Sequence, residues 1–195
     1  RNYSKLLKSI GINAFCKCYN LTSFEGDFAS DDKRCLIIDG TLLAFAPNNI
    51  TEYTIPNSVT KIGEDAFSGL NVTSITIGNS VKSIESYAFY SCSKLSQLTI
   101  GESVDSIGDY AFYKCTSLKS ATIPNSVKKI GNYAFFSCWS INPLTIGNSM
   151  ESIGKYAFYN CSAFDSLAIP NSVKSIGKYA FDSCFDLKYL TIGNS

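Results

Sequence analysis

The chain has no histidine among its 195 residues, and only one methionine, one tryptophan and five prolines. Without an imidazole there is no general base for a serine or cysteine triad and no His ligand for a zinc site. Charge of neither sign dominates. Against 16 Asp and Glu stand 17 Lys and Arg, a formal net charge of +1, which leaves no electrostatic footprint for nucleic acid or an anionic membrane. No apolar run approaches the roughly 18 residues that a membrane-spanning helix requires, so no membrane insertion is expected. Arg1 opens no secretory leader, because no apolar segment follows it; the expectation is an intracellular chain or one whose leader has been removed. No phosphate-cradling glycine loop is found, and nothing gathers two carboxylates into a pocket, so neither catalysis nor a cofactor nor a metal is expected.

What the chain does have is a phrase that recurs. IGDYAFYKCTSLKSATIPNSV, from Ile107, returns as IESYAFYSCSKLSQLTIGESV from Ile84, as IGNYAFFSCWSINPLTIGNSM from Ile130 and as IGKYAFYNCSAFDSLAIPNSV from Ile153. Ile77, Ile100, Ile123, Ile146, Ile169 and Ile192 form one column with a period of 23. A strict period of this length marks a solenoid, in which each unit buries its apolar face against its neighbours. Within a unit, Leu98 to Ile100 and Val104 to Ile107 read as strands around a Pro or Gly corner. Ala111, Phe112, Cys115 and Leu118, spaced by one, three and three, predict one face of a short α or 3₁₀ turn.

The eight cysteines do not read as a disulfide framework. Cys92, Cys115, Cys138, Cys161 and Cys184 share one repeat position, where stacking holds Cβ vectors parallel rather than converging, so a buried thiol ladder is expected. Residues 1–24 align as a degenerate unit, with Ile10, Ala14, Phe15, Cys18 and Leu21 on the columns of Ile107, Ala111, Phe112, Cys115 and Leu118. Cys16 and Cys35 fall outside the ladder and are either a disulfide pair or two thiols. Residues 25–50 break the period; Cys35 to Ile38 and Thr41 to Phe45, joined by Asp39-Gly40, predict an inserted β-hairpin. Regular units fill 51–195 as part of a single repeat domain. The chain stops at Thr191 to Ser195 in the phase of an interior unit, so an uncapped end open to end-to-end self-association is expected.

Because stacking dictates the inward positions, specificity belongs to the exposed columns. One is Thr54, Thr76, Thr99, Thr122, Thr145 and Thr191, interrupted by Ala168, in the middle of the Leu-x-Ile strand; it is either a strand-forming ladder or a ligand-contact row. A second alternates in charge: Lys82, Asp105, Lys128, Glu151 and Lys174. A third set is aromatic. Tyr87, Tyr110, Tyr133, Tyr156 and Tyr179 precede the Ala, and Tyr90, Tyr113, Phe136 and Tyr159 follow the Phe, forming a continuous stripe or a set of half-buried covers. Such a stripe also raises sugar stacking as a weaker reading.

The pattern IGxYAFxxCxxLxxLxIPxSV resembles the repeat of BspA-like leucine-rich-repeat proteins, and FASDDKRCLIIDGTLLAFAP resembles a hairpin insertion seen within that family. The resemblance implies an α/β solenoid, a right-handed leucine-rich-repeat superhelix with short parallel strands and short helical or 3₁₀ turns. It further implies a non-enzymatic cell-surface or secreted protein that binds a host or cell-surface protein, as in adhesion. The alternative function is a structural spacer or self-associating surface element.

Overall fold

The computed structural model describes residues 10, 11, 14–16 and 18–193; the first nine residues of the degenerate unit, and the closing Asn194 and Ser195, lie outside it. β1 (Cys35–Ile38) and β2 (Thr41–Phe45) form an antiparallel hairpin. Each later coil adds a short strand and a longer one. Along the chain these are β3 (Glu52–Thr54), β4 (Lys61–Ile62), β5 (Ser74–Thr76), β6 (Ser83–Ile84), β7 (Gln97–Thr99), β8 (Ser106–Ile107) and β9 (Ala121–Ile123). They continue as β10 (Lys129–Ile130), β11 (Leu144–Ile146), β12 (Ser152–Ile153), β13 (Ser166–Ile169), β14 (Ser175–Ile176) and β15 (Tyr189–Ile192).

The short strands join one eight-stranded sheet in the order β1-β2-β4-β6-β8-β10-β12-β14. The longer strands form a second, interrupted face of three, two and two strands: β3-β5-β7, β9-β11 and β13-β15. Equivalent residues pair in parallel register, Ile107 with Ile130 and Ile130 with Ile153, so every side chain stands over its own copy in the next coil. A one-residue slip would turn each inward column outward, and the burial of one face holds the register.

The expected helical turns are absent: the described residues contain strands and turns but no helix. The reason is in the backbone. Tyr87, Tyr110, Tyr133, Tyr156 and Tyr179 have φ between 55 and 61°, and so do Ser91, Lys114, Ser137, Asn160 and Ser183. Two left-handed residues per coil forbid a continuous helix. Amides alternate in destination instead. Those of Tyr87, Phe89 and Ser91 donate to Asp109, Ala111 and Tyr113 of the next coil, at 2.7–2.9 Å, while those of Tyr90 and Cys92 close local turns onto Tyr87 and Phe89. Half of the segment's donors therefore stitch coils together, which a helix would have used internally. The architecture is a parallel β-solenoid rather than α/β.

The core is a set of stacks. Phe67, Phe89, Phe112, Phe135 and Phe158 are fully buried, with ring centroids 4.9–5.1 Å apart. Around them lie the columns of Ile107, Val127, Ala111, Leu118 and Ile123. The close approach of coils leaves no room for a side chain at one corner. A Cβ on Gly131 would sit 2.5 Å from the Asp109 amide nitrogen.

The hairpin is not a detour from the stack. Its turn has Asp39 at φ 48° and Gly40 at 73°, the two successive positive values that a two-residue hairpin loop demands. Its second strand then pairs in parallel with β4, and Phe45 stacks on Phe67 at 4.8 Å. Stacking thus begins at Thr41, ten residues before the regular period. The degenerate unit behaves differently. It keeps the local turn bonds, Ala14 to Gly11, Cys18 to Phe15 and Leu21 to Cys18. Cys18 is nevertheless exposed and stands outside the thiol ladder, contrary to the alignment. Ile10 and Leu21 pack instead on a separate cluster of Phe24, Leu36, Ala44 and Ala46 beside the hairpin.

Candidate functional site

The repeat phrase sorts into buried and presented residues. On the interrupted face, Thr54, Thr99, Thr122, Thr145 and Thr191 are exposed and Thr76 is half-buried, while Ile55, Ile77, Ile100, Ile123 and Ile146, each following its Thr, are buried. Register places Thr76 between Thr54 and Thr99, and Thr122 beside Thr145; Ala168 stands beside Thr191. No hydrogen bond joins these hydroxyls to one another or to anything else among the described residues, so the column presents unengaged donors and acceptors on a rigid base. The ladder does not close by side-chain bonding. Where the sheet breaks between β11 and β13, an open groove of about 360 Å³ is lined by Pro143, Leu144, Thr145, Leu167, Ala168 and Tyr189 among others.

The alternating charge column is mostly unpaired. Lys174 meets Glu151 at 2.8 Å and, by hydrogen bond and charge, lowers the Glu151 pKa. Asp105 instead accepts from the Ser106 hydroxyl and pairs with neither Lys82 nor Lys128. One contact among four neighbouring pairs does not make a register-setting ladder.

The aromatic columns are continuous. Tyr87, Tyr110, Tyr133 and Tyr156 stack at 4.8–4.9 Å, with Tyr179 on the end at 4.8 Å. Tyr90, Tyr113, Phe136 and Tyr159 stack beside them at 4.9–5.0 Å, and the two columns touch at 5.5–5.8 Å. All are half-buried except Tyr179, which is 41% exposed. Both sequence readings hold together, since a stripe and a half-buried cover are one object here. Interior rings have both faces covered by their neighbours, so a sugar would find edges and hydroxyls rather than a stacking platform. Burial, followed by the neighbouring Tyr133 and Tyr87 phenols, raises the Tyr110 pKa. Lys114, Lys155 and Lys178 lie over Tyr113, Tyr156 and Tyr179 at 4.6–5.3 Å. The left-handed backbone under the first tyrosine column was not read from sequence. Its traces are Asp65 in the tyrosine column and Gly69 in the Ser91 column, residue types that tolerate positive φ.

The thiol ladder is present and unreactive in character. Each Sγ donates to the carbonyl of the preceding coil's Phe: Cys92 to Phe67, Cys115 to Phe89, Cys138 to Phe112 and Cys161 to Phe135, at 3.0–3.2 Å. Burial pushes Cys92 and Cys138 up to about 12. No disulfide joins the ladder cysteines, and Cys35 forms none with Cys16. Cys35 is buried, 3.3 Å from the Tyr53 hydroxyl, with its pKa pushed up by burial to about 12. Among the described residues no group of three or more potential ligands could hold a metal ion, and no helix is long and apolar enough to cross a membrane.

The profile of the BspA type leucine rich repeat region matches the chain in six copies, over residues 43–163 and 82–195. The chain belongs to the BspA-type leucine-rich-repeat family. Solved structures of bacterial leucine-rich-repeat proteins are similar to this BspA-type chain. The leucine-rich-repeat protein of T. pallidum is 26% identical, with a TM-score of 0.73 over 84% of this chain and 77% of that one. A leucine-rich-repeat protein of Bacteroides ovatus is 30% identical, with a TM-score of 0.72 over 87% of this chain and 45% of that one. A leucine-rich cell surface protein of Faecalibacterium prausnitzii is 28% identical, with a TM-score of 0.67 over 86% of this chain and 55% of that one. The chain thus spans about half the length of the last two. No protein of curated function matches it. The match begins at residue 43, within β2, in accord with stacking from the hairpin onward.

Proposed function

We propose that this BspA-type chain is a non-catalytic, surface-associated recognition module whose threonine face contacts a protein partner. The observation that carries this is the row of exposed Thr side chains, in register and without hydrogen bonds, above fully packed isoleucines. A rigid row loses little conformational freedom on binding, and the groove at Ala168 offers a seat for one apolar side chain of the partner. The cell-surface description of the F. prausnitzii relative supports the surface placement. Catalysis has no support from the site, because the ladder thiols are held protonated by burial.

The test is binding of the chain to a panel of immobilised extracellular matrix proteins, beside a variant carrying Thr99→Arg, Thr122→Arg and Thr145→Arg. Saturable binding that falls at least about tenfold in the variant supports the reading. Binding to nothing on the panel, or binding that the triple variant leaves unchanged, overturns it.

A further inference from the structure

The position just before each tyrosine of the first aromatic column carries a charge gradient. Along the stack it runs Glu64, Ser86, Asp109, Asn132, Lys155, Lys178: acidic at one end, neutral at the centre, basic at the other. Its members are half-buried or exposed. Asp109 is tied to the next coil, accepting from the Asn132 amide at 2.7 Å and its side-chain nitrogen at 3.2 Å. Lys155 and Lys178 lie along Tyr156 and Tyr179. Beside the gradient runs the double aromatic stripe, whose rings repeat every 4.8–5.0 Å and whose phenol hydroxyls, interrupted at Phe136, take part in no hydrogen bond among the described residues.

A partner for this flank has to match that repeat over several coils. Side chains on one face of an extended peptide recur at about 6.6 Å and turns of a helix at about 5.4 Å, so both drift out of phase within a few positions. A second solenoid of the same period stays in phase throughout. A phenol hydroxyl both donates and accepts, so two such rows are complementary to each other. The gradient then selects the direction. Parallel pairing would set Asp109 against Asp109 and Lys155 against Lys155. Antiparallel pairing about a two-fold axis at the Asn132–Tyr133 coil sets Asp109 of one copy against Lys155 of the other, twice, with Asn132 meeting itself.

We propose that two copies of this chain associate side by side and antiparallel through the aromatic flank, with Asp109 facing Lys155 across the two-fold axis. This pairing is independent of the threonine-face reading, and the triple Thr variant leaves it intact.

Sedimentation velocity from about 1 to about 500 µM is the test, with the unfolding midpoint of each variant recorded beside it. The parent chain is expected to dimerise with rising concentration. Lys155→Asp, at an exposed position, is expected to raise the dissociation constant about tenfold by opposing two carboxylates. Asp109→Asn keeps an acceptor for the Asn132 amide; combined with Lys155→Asp it is expected to recover the parent constant to within about threefold, and the full swap Asp109→Lys with Lys155→Asp to recover it as well. A concentration-independent monomer overturns the proposal. So does association that Lys155→Asp leaves unchanged but Leu190→Lys on the terminal coil abolishes, which would make the contact end-to-end.

Discussion

The first and last described layers of the stack differ in how their columns are covered. At the N-terminal end, the hairpin lays Cys35, Leu42 and Phe45 on the first coil, and all three are buried. A second cluster of Phe24, Leu36, Ala44 and Ala46 covers the hairpin's other face, with Ile10, Leu21 and Phe28 packed on it. At the other end, residues of the same columns stand open. Leu190 is 52% exposed where its neighbour Leu167 is 4%, and Ile192 is 61% exposed where Ile169 is 4%. The chemistry of the columns is unchanged; what differs is whether another described layer lies on them. A solenoid residue is therefore apolar because of its neighbours in the stack, not because of its own coil.

The sharpest way to test that contrast is to truncate a large apolar side chain at each place. Phe112→Ala, in the interior, is expected to cost about 3–5 kcal/mol, read as a fall in the denaturant midpoint, whereas Leu190→Ala is expected to cost under about 1 kcal/mol. Equal effects would mean that the terminal coil is as well buried as the centre. Next in size is the closure of the hairpin end. Gly40 has φ 73° and an added Cβ would meet the Thr60 hydroxyl oxygen at 2.6 Å, so Gly40→Val is expected to cost about 2 kcal/mol and to speed amide exchange in β1 and β2 before the central coils.

A smaller effect comes from pH. Burial by itself would raise the Asp32 carboxyl, but hydrogen bonds from Ser30, the Arg34 amide and Tyr53 outweigh it and hold the pKa below its usual 3.8. A depressed folded pKa means that its stabilisation is complete above 3.8 and is lost as pH falls through the lower folded value. Because Asp32 is largely exposed, about 1 kcal/mol or less is expected, seen as faster exchange of the Arg34 and Cys35 amides on acidification below 3.8 and absent in Asp32→Asn. The smallest effect is at the alternating charges. Asp105→Lys is expected to leave the unfolding midpoint unchanged at low salt, since Asp105 pairs with neither neighbouring lysine; a clear shift would restore the charge ladder as a stabilising feature.

Much of the molecule was legible beforehand. The period, the inward columns, the thiol ladder and the hairpin strands all follow from patterns that act within a coil or recur at a fixed distance. Three features did not. Ala111, Phe112 and Cys115 have helical spacing, yet Tyr110 and Lys114 adopt left-handed backbone because alternate amides are taken by the next coil. Cys18 aligns with the ladder, but the hairpin occupies the layer on which it would have stacked. The charges from Lys82 to Lys174 alternate in sequence, but only Lys174 reaches its neighbour.

By itself, the sequence determined the repeat, its period and which residues face inward, because burial of apolar columns is a property that a periodic pattern carries in one dimension. The tertiary structure decided where backbone amides go, how rings of successive coils lie on one another and which side chains remain unengaged. Those outcomes depend on the distance between coils, and that distance exists only once the layers have stacked.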